Sequence, residues 1–218
     1  GDALGALAAL QSCDPNNSGL PSYTRERLLF EMSLYRDWLV GVHLNIRLDR
    51  AQQEALQKSC ELLADSALQQ AAVCVHRDFH SRNLMVSPFH NPGILDYQDA
   101  VIGPVTYDLV SLLRDCYISW PRQRVEDWVM GYFELAQQTG ILRQDQVNEL
   151  QFLKWFDWMG VQRHLKAAGI FARLNHRDGK PGYLGDIPRT LGYVSDVCSR
   201  YSELSELGSL TRTVIASL

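Results

Sequence analysis

The sequence predicts an α+β fold that is mostly α-helical, with a small β insertion in the first half of the chain. Apolar residues recur every three or four positions through most of the 218 residues, which is the spacing of amphipathic helices. Short apolar runs of β-prone residues, bounded by polar loops, occur between residues 71 and 97. With 46% hydrophobic and 21% charged residues, one globular domain with a buried core is expected.

Seven helices are predicted from this spacing, and residues at their ends support several boundaries. Thr24 and Asp49 suit N-caps, because their side-chain oxygens can accept hydrogen bonds from the first helical turn. Gly140 suits a helix end, since glycine readily adopts the left-handed conformation there. The charged, turn-rich segment 175–182 is expected to be a loop between two helices. The predicted helices cover residues 1–11, 25–44, 51–70, 106–116, 123–139, 144–171 and 188–202.

Three short strands are predicted at residues 71–75, 84–86 and 93–97. They lie on either side of two polar loops, and the first of these loops holds the densest group of polar side chains in the chain. The β insertion is therefore expected to position the chemistry.

The overall charge and the cysteines exclude several classes of protein. A net charge of -4 and a pI near 5.9 give no general attraction to nucleic acid or to anionic lipid. The five cysteines contain no CxxC pair, which argues against a disulfide framework or a structural zinc site. No apolar run approaches the roughly 20 residues that span a bilayer. A cytoplasmic protein with neither a nucleic-acid nor a membrane partner is expected.

The polar loop from His76 to Asn83 carries the residues expected to perform chemistry. Asp78 can act as the base that orients an acceptor hydroxyl and takes its proton. Asn83 follows Asp78 by five residues, and Asp96 lies near the end of the third predicted strand. Magnesium prefers hard oxygen ligands such as an amide oxygen and a carboxylate, so these two residues are predicted to hold Mg²⁺. This order and spacing is similar to the catalytic loop and metal-binding aspartate of protein-kinase-like enzymes, and the resemblance implies phosphoryl transfer.

Three motifs in this region resemble the aminoglycoside phosphotransferase and choline-kinase-like branch of the kinase superfamily. The loop His76 to Met85 has the form H-x-D-x-x-x-x-N followed by two apolar residues. Leu95 to Ala100 and Gly103 to Leu109 then match the segments that follow in that family. The resemblance implies ATP as the phosphoryl donor and the C-terminal, larger lobe of the protein-kinase-like fold. This lobe is expected to cover residues 1–218, with the catalytic and metal-binding loops at 71–109.

A narrower resemblance is to the bacterial kinases that phosphorylate the C1 hydroxyl of N-acetylmuramate and N-acetylglucosamine in cell-wall recycling. It rests on the segments Asp78 to Met85 and Gly103 to Tyr117, together with Gln162 to Lys166 and Phe171 to Lys180. This resemblance implies an amino sugar as the small-molecule acceptor.

The sequence departs from the kinase pattern before the catalytic loop. Kinase-like enzymes have an N-terminal lobe with a glycine-rich loop and a strand lysine that hold the phosphates. No such loop precedes Asp78, and Lys58, the only lysine before it, falls in a predicted helix. The N-terminal lobe is therefore expected to be absent from this chain, which should bind nucleotide poorly and be inactive alone.

Several further residues are candidates for supporting the site or binding the acceptor. His76 is expected to pack and brace the backbone around Asp78, and Asp108 is expected to accept backbone N–H bonds from the catalytic segment or to cap its own helix. The other candidates are charged groups that suit an anionic or metal-bound substrate and aromatic rings on which a sugar can stack, although solvation and core packing remain open for them. They are Arg82, Asp99, Tyr117, Trp155, Trp158 and Arg163.

Other functions remain open at this stage. The acceptor of the same reaction can instead be an aminoglycoside or an amino alcohol. A second alternative is a non-catalytic sugar-binding remnant of a kinase. A third is a metal-dependent hydrolase, in which His76, Asp78 and His80 bind a transition metal. The hydrolase interpretation leaves Asn83 and Asp108 without a role.

Overall fold

The computed structural model describes all 218 residues, from Gly1 to Leu218, and its secondary structure is mostly helical. This confirms the predicted class, a helical protein with small sheets. A π-helix, Tyr35–His43, continues α2 directly. The eight α-helices are α1 Asp2–Gln11, α2 Arg25–Leu34, α3 Arg50–Leu68, α4 Tyr107–Leu113, α5 Arg122–Gln138, α6 Glu149–Asp178, α7 Ile187–Cys198 and α8 Ser205–Ile215. The four strands are β1 Ala72–Val75, β2 Leu84–Met85, β3 Gly93–Ile94 and β4 Val101–Pro104.

Three features differ from the sequence-based prediction. Strand β4 and helix α8 were not predicted, and α6 extends to Asp178, so the expected loop at 175–182 is helical over its first four residues. His176 and Arg177 lie in the last turn of α6, where cations interact favourably with the helix dipole. The predicted N-cap at Thr24 is present, with its hydroxyl accepting from Arg27 N, and Gly140 follows α5 with a φ of 76°.

The chain divides into two compact units, and the first contains residues 1–23 and 66–159. Its main sheet pairs β1 with β4 in antiparallel register, from Ala72 opposite Pro104 to Val75 opposite Val101. The last three residues of β1 are buried, as expected for an apolar strand in a core. Gly103 lies close to Tyr23 in the fold, since a Cβ at this position would be 3.1 Å from the Tyr23 side chain, which would have to shift slightly.

The second sheet of this unit is a hairpin that follows the polar loop. Strand β2 pairs antiparallel with β3, with Leu84 opposite Ile94 and Met85 opposite Gly93. The polar loop thus begins at the end of β1 and ends at the start of β2. The segment after β3, which contains Asp96, is held beside the end of that loop.

The second unit contains residues 24–65 and 160–218, and all of its regular secondary structure is helical. Gly169 of α6 approaches the backbone so closely that a Cβ would lie 2.3 Å from the carbonyl carbon of Leu34, where α2 passes into the π-helix. The buried carboxylate of Glu31 lies 3.5 Å from Lys166 Nζ and accepts a hydrogen bond from Gln162. None of the helices in the chain is both long and apolar enough to span a membrane.

Candidate active site

The polar loop from His76 to Asn83, called the catalytic loop below, is compact and internally hydrogen-bonded. The carbonyl oxygen of Asp78 accepts from His80 N at 3.0 Å, and that of His80 accepts from Asn83 N at 2.9 Å. Residues Ser81–Asn83 form one turn of 3-10 helix. The side chain of Asp78 is half-buried, so a solvent-side acceptor can reach it.

A buried carboxylate anchors the first end of the catalytic loop. Asp108, in the first turn of α4, is completely buried and accepts hydrogen bonds from His76 N at 2.6 Å and Arg77 N at 2.9 Å. Arg77 has a φ of 76°, a left-handed conformation that costs a non-glycine residue about 1–3 kcal/mol. The two charge-assisted hydrogen bonds stabilise the backbone in this conformation directly before Asp78.

The arrangement of Asn83 suits a magnesium ligand. Its Nδ2 donates to the carbonyl oxygen of Asp78 at 3.0 Å, which fixes the amide and leaves Oδ1 as the acceptor. Its own carbonyl accepts from Leu95 N at 3.0 Å, so the backbone beside Asp96 is tied to Asn83. Asp96 is exposed and has a φ of 66°. An amide oxygen and a carboxylate, two groups that a hard cation prefers as ligands, therefore lie on adjacent segments.

His76 is a buried ring beneath the loop rather than part of a metal cluster. It lies edge-on to Phe79, with ring centroids 6.0 Å apart. Burial lowers the pKa of His76, and the carboxylates of Asp78 and Asp96 and the backbone of Leu95 act in the opposite direction. The chain contains no group of three or more His, Cys, Asp or Glu side chains that could hold a metal, so His76, Asp78 and His80 do not form the hydrolase-type ligand set.

A second buried carboxylate, Asp115, anchors the other end of the catalytic loop and was missed by the sequence analysis. It accepts from Ser81 N at 3.0 Å and from Tyr117 N at 2.9 Å. The guanidinium carbon of Arg82 lies 3.4 Å from the centroid of the Tyr117 ring, and the His80 ring lies edge-on to the same tyrosine at 5.6 Å. The only sign of this role in the sequence was an acidic residue just after a helix of mostly apolar residues, α4.

The anchored loop and the hairpin lie in the part of the chain that matches a known family. Residues 1–147 match the family described as the phosphotransferase enzyme family. The chain belongs to this family. The match covers Asp78, Asn83 and Asp96, so the two geometrically linked segments fall within the region that defines the phosphotransferases.

Three similar proteins carry the same name, N-acetylmuramate/N-acetylglucosamine kinase. The Pseudomonas putida protein is 49% identical over 209 residues, which cover 96% of this phosphotransferase chain and 60% of the relative. Those of Neisseria meningitidis and Pseudomonas aeruginosa are each 46% identical, over 96% and 95% of the chain and 61% and 60% of the relatives. The chain thus spans about 60% of the length of these relatives.

The remaining predicted residues of the phosphotransferase lie at different places. Asp99 is exposed, and its backbone oxygen lies 3.5 Å from Arg77 Nη1. Trp155 is buried, and its carbonyl accepts from the Thr106 hydroxyl at 3.4 Å. It lines a cavity of about 330 Å³ with Gln70 and Ala71, next to the start of β1, whereas the catalytic loop follows the end of that strand.

Trp158 and Arg163 are both buried residues of α6. The ammonium group of Lys154 lies 4.5 Å from the centroid of the Trp158 ring. Arg163 belongs to the second compact unit, whereas the catalytic loop belongs to the first. Of the predicted acceptor-binding residues, the structure brings Arg82 and Tyr117 together at the catalytic loop.

Proposed function

We propose that this chain supplies the base and the metal ligands of an ATP-dependent kinase that phosphorylates the C1 hydroxyl of an amino sugar, N-acetylmuramate or N-acetylglucosamine. The observation that carries the proposal is the hydrogen bond from Asn83 Nδ2 to the carbonyl oxygen of Asp78. This bond couples the proposed base to the proposed metal ligand. Membership of the phosphotransferase family and the names of the relatives support the reaction and the acceptor.

In this reaction Asp78 orients the acceptor hydroxyl and takes its proton while the oxygen attacks the γ-phosphorus. The new oxygen–phosphorus bond forms as the bond to the departing ADP oxygen breaks, and the proton passes from Asp78 to solvent. Asn83 and Asp96 would hold a magnesium ion, which would neutralise charge on the nucleotide phosphates. Asp108 acts on the reaction through the backbone directly before the base, and His76 acts through the packing of its ring against Phe79, directly after the base.

The finer assignments belong to the same proposal. An amino sugar phosphorylated at C1 suits a role in cell-wall recycling, and the use of ATP suits a cytoplasmic enzyme. The large-lobe organisation also remains a prediction, supported by the lack of a glycine-rich loop or strand lysine before Asp78. We expect the 218-residue chain alone to bind nucleotide weakly and to turn over slowly or not at all.

The test compares Asp78→Asn with the unchanged sequence, both in the gene product that contains this chain and in the 218-residue chain. ATP, Mg²⁺ and either amino sugar are supplied, and sugar 1-phosphate is detected by phosphorus NMR. An aminoglycoside and an amino alcohol serve as alternative acceptors. We expect kcat in Asp78→Asn to fall by at least about 10³-fold with an unchanged fold, because the base is lost. Undiminished turnover would contradict the assignment of Asp78.

The metal ligands are tested in the same protein by titration calorimetry with nucleotide, with and without Mg²⁺. Asp96→Ala should remove the part of the nucleotide affinity that depends on Mg²⁺, because a carboxylate ligand is lost. Unchanged metal dependence would place the ligand elsewhere. Sugar binding without nucleotide binding or turnover, even in the gene product, would favour the sugar-binding remnant.

A further inference from the structure

Arg82 and Tyr117 form a stacked pair beside the proposed base. The guanidinium carbon lies over the tyrosine ring, 3.4 Å from its centroid, which is well within the distance of a cation–π contact. A guanidinium carries its N–H donors at the edge of its plane, so its face can contact a ring while its edge donates hydrogen bonds. Arg82 is exposed and Tyr117 is half-buried, so the pair faces solvent.

A buried carboxylate, Asp115, holds the backbone next to this pair. Asp115 is 1% exposed, and its two oxygens accept from the backbone N–H of Ser81 and of Tyr117. One carboxylate thus holds the residue before Arg82 and the tyrosine on which Arg82 stacks. A guanidinium that is already ordered loses less conformational entropy when it binds an anion.

The pair lies within one helical turn of the reacting groups. Arg82 is in the same 3-10 turn as Asn83, and the Asn83 side chain donates to the carbonyl oxygen of Asp78. The ring of His80, two residues after Asp78, packs edge-on against Tyr117. An acceptor whose hydroxyl meets Asp78 would therefore present its other substituents close to Arg82.

We propose that Arg82, stacked on Tyr117 and positioned by Asp115, binds the carboxylate of acceptors that carry one and so sets the preference between two amino sugars. The inference rests on the proposed function. N-acetylmuramate differs from N-acetylglucosamine by a lactyl ether whose carboxylate is ionised at neutral pH. A planar guanidinium suits a carboxylate, and hydrogen bonds between charged groups are stronger than neutral ones. The neutral sugar offers Arg82 no such partner.

The decisive measurement is the ratio of kcat/KM for N-acetylmuramate to kcat/KM for N-acetylglucosamine. Arg82→Gln should lower the value for the carboxylate-bearing sugar by about 10–100-fold, the size expected for a charged hydrogen bond. The value for the neutral sugar should change by less than about threefold, because no bond to it is lost. Arg82→Lys keeps the positive charge but loses the planar group that can bind a carboxylate through two N–H groups and stack on the ring. The ratio for this variant should therefore lie between those of the wild type and Arg82→Gln.

A matched control removes the same charge at a different surface position. Arg50, at the start of α3, is exposed and pairs with Glu54 at 2.7 Å. Arg50→Gln should leave the ratio unchanged, which separates a local contact from a general effect of net charge. Tyr117→Leu should also lower the ratio, since the guanidinium of Arg82 loses the ring that orients it.

Two results would overturn the inference while leaving the proposed function intact. If Arg82→Gln lowers kcat/KM equally for both sugars, Arg82 contacts the transferred phosphoryl group or supports the loop. If the ratio in Arg82→Gln equals that of the wild type, the carboxylate binds elsewhere. Wild-type protein that phosphorylates neither sugar would instead reject the proposed function, and the inference with it.

Discussion

Two buried aspartates hold the two ends of one catalytic loop, and they do so differently. Asp108 accepts from two successive backbone N–H groups at the first end, His76 N and Arg77 N. Asp115 accepts from one N–H group of the loop, Ser81 N, and from one outside it, Tyr117 N. Asp108 joins two successive residues of the loop to α4, whereas Asp115 joins one residue of the loop to the segment that contains Tyr117.

The difference separates two tasks within the site. The Asp108 end contains the proposed base, Asp78, and the left-handed residue before it. Phosphoryl transfer by this route needs a base whatever the acceptor. The Asp115 end contains Arg82 and Tyr117, whose chemistry suits the acceptor rather than the phosphate. The sequence predicted Asp108 as an acceptor for the backbone of the loop but gave no role to Asp115. Mutating each aspartate alone should therefore affect different properties of the protein.

Replacing Asp108 should have the largest effect. Asp108→Ala leaves two N–H groups of the catalytic loop without their acceptor in a fully buried position, which we expect to destabilise the fold by about 3–5 kcal/mol. Urea denaturation followed by far-UV circular dichroism measures this loss. Asp108→Asn retains an acceptor oxygen and should lose less stability but most of the turnover, with both amino sugars equally. A stable Asp108→Ala protein with normal turnover would remove the distinction between the two ends.

Replacing Asp115 should have a smaller effect on stability and a more specific effect on function. Its donors, Ser81 N and Tyr117 N, belong to half-buried residues, so water can replace part of the lost bonding in Asp115→Ala. We expect a loss of about 1–2 kcal/mol. The KM for N-acetylmuramate should rise more than kcat falls, whereas the KM for N-acetylglucosamine should change little.

A double-mutant cycle tests whether Asp115 and Arg82 act together in binding the acceptor. In a double-mutant cycle of Asp115→Ala with Arg82→Gln, the two effects on kcat/KM for N-acetylmuramate should be less than additive, because both remove one contact. In the matching cycle of Asp115→Ala with Arg50→Gln, the effects should add. Additive effects in the first cycle would mean that Asp115 does not position Arg82.

The sequence predicted the local parts of this site and missed the part that depends on distant pairing. Asp78 and Asn83 lie in the loop before β2, and Asp96 follows β3. Because β2 and β3 pair as a hairpin of neighbouring segments, the three residues are brought near each other by local structure. Asp115 follows α4 without a recognisable spacing. Its partner Ser81 lies 34 residues earlier, and only the tertiary fold decides which N–H groups it meets.

The same limit explains the errors in the fold. Strand β4 contains Gly103 and Pro104, residues that favour turns, and it forms because β1 offers a complete antiparallel partner. The segment 175–178 is charged and resembles a loop, yet it continues α6 with basic residues at a helix C-terminus. Local propensity predicted the amphipathic helices, where burial and periodicity agree, and failed where tertiary contacts decide.

The smallest predicted effect is the response of the Asp108 end to acid. Because burial lowers the pKa of His76, the unfolded chain takes up a proton on this ring more readily than the folded protein. The stability contribution is complete above the unfolded pKa and is lost as the pH falls below about 6.5. For one such histidine the loss at pH 6 is at most about 0.8 kcal/mol. Urea unfolding at pH 7.5 and pH 6 should show a smaller pH dependence in His76→Gln than in the wild type.

His43 provides the matched variant for this measurement. Burial and the neighbouring His176 also lower the pKa of His43, which lies in the second compact unit. His43→Gln should therefore remove a separate contribution of the same sign, and the double variant should show the sum of both changes. If His76→Gln unfolds with the wild-type pH dependence, His76 takes up protons equally in the folded and unfolded states. The Asp108 end would then be open to water, and the contrast with the half-buried Asp115 end would disappear.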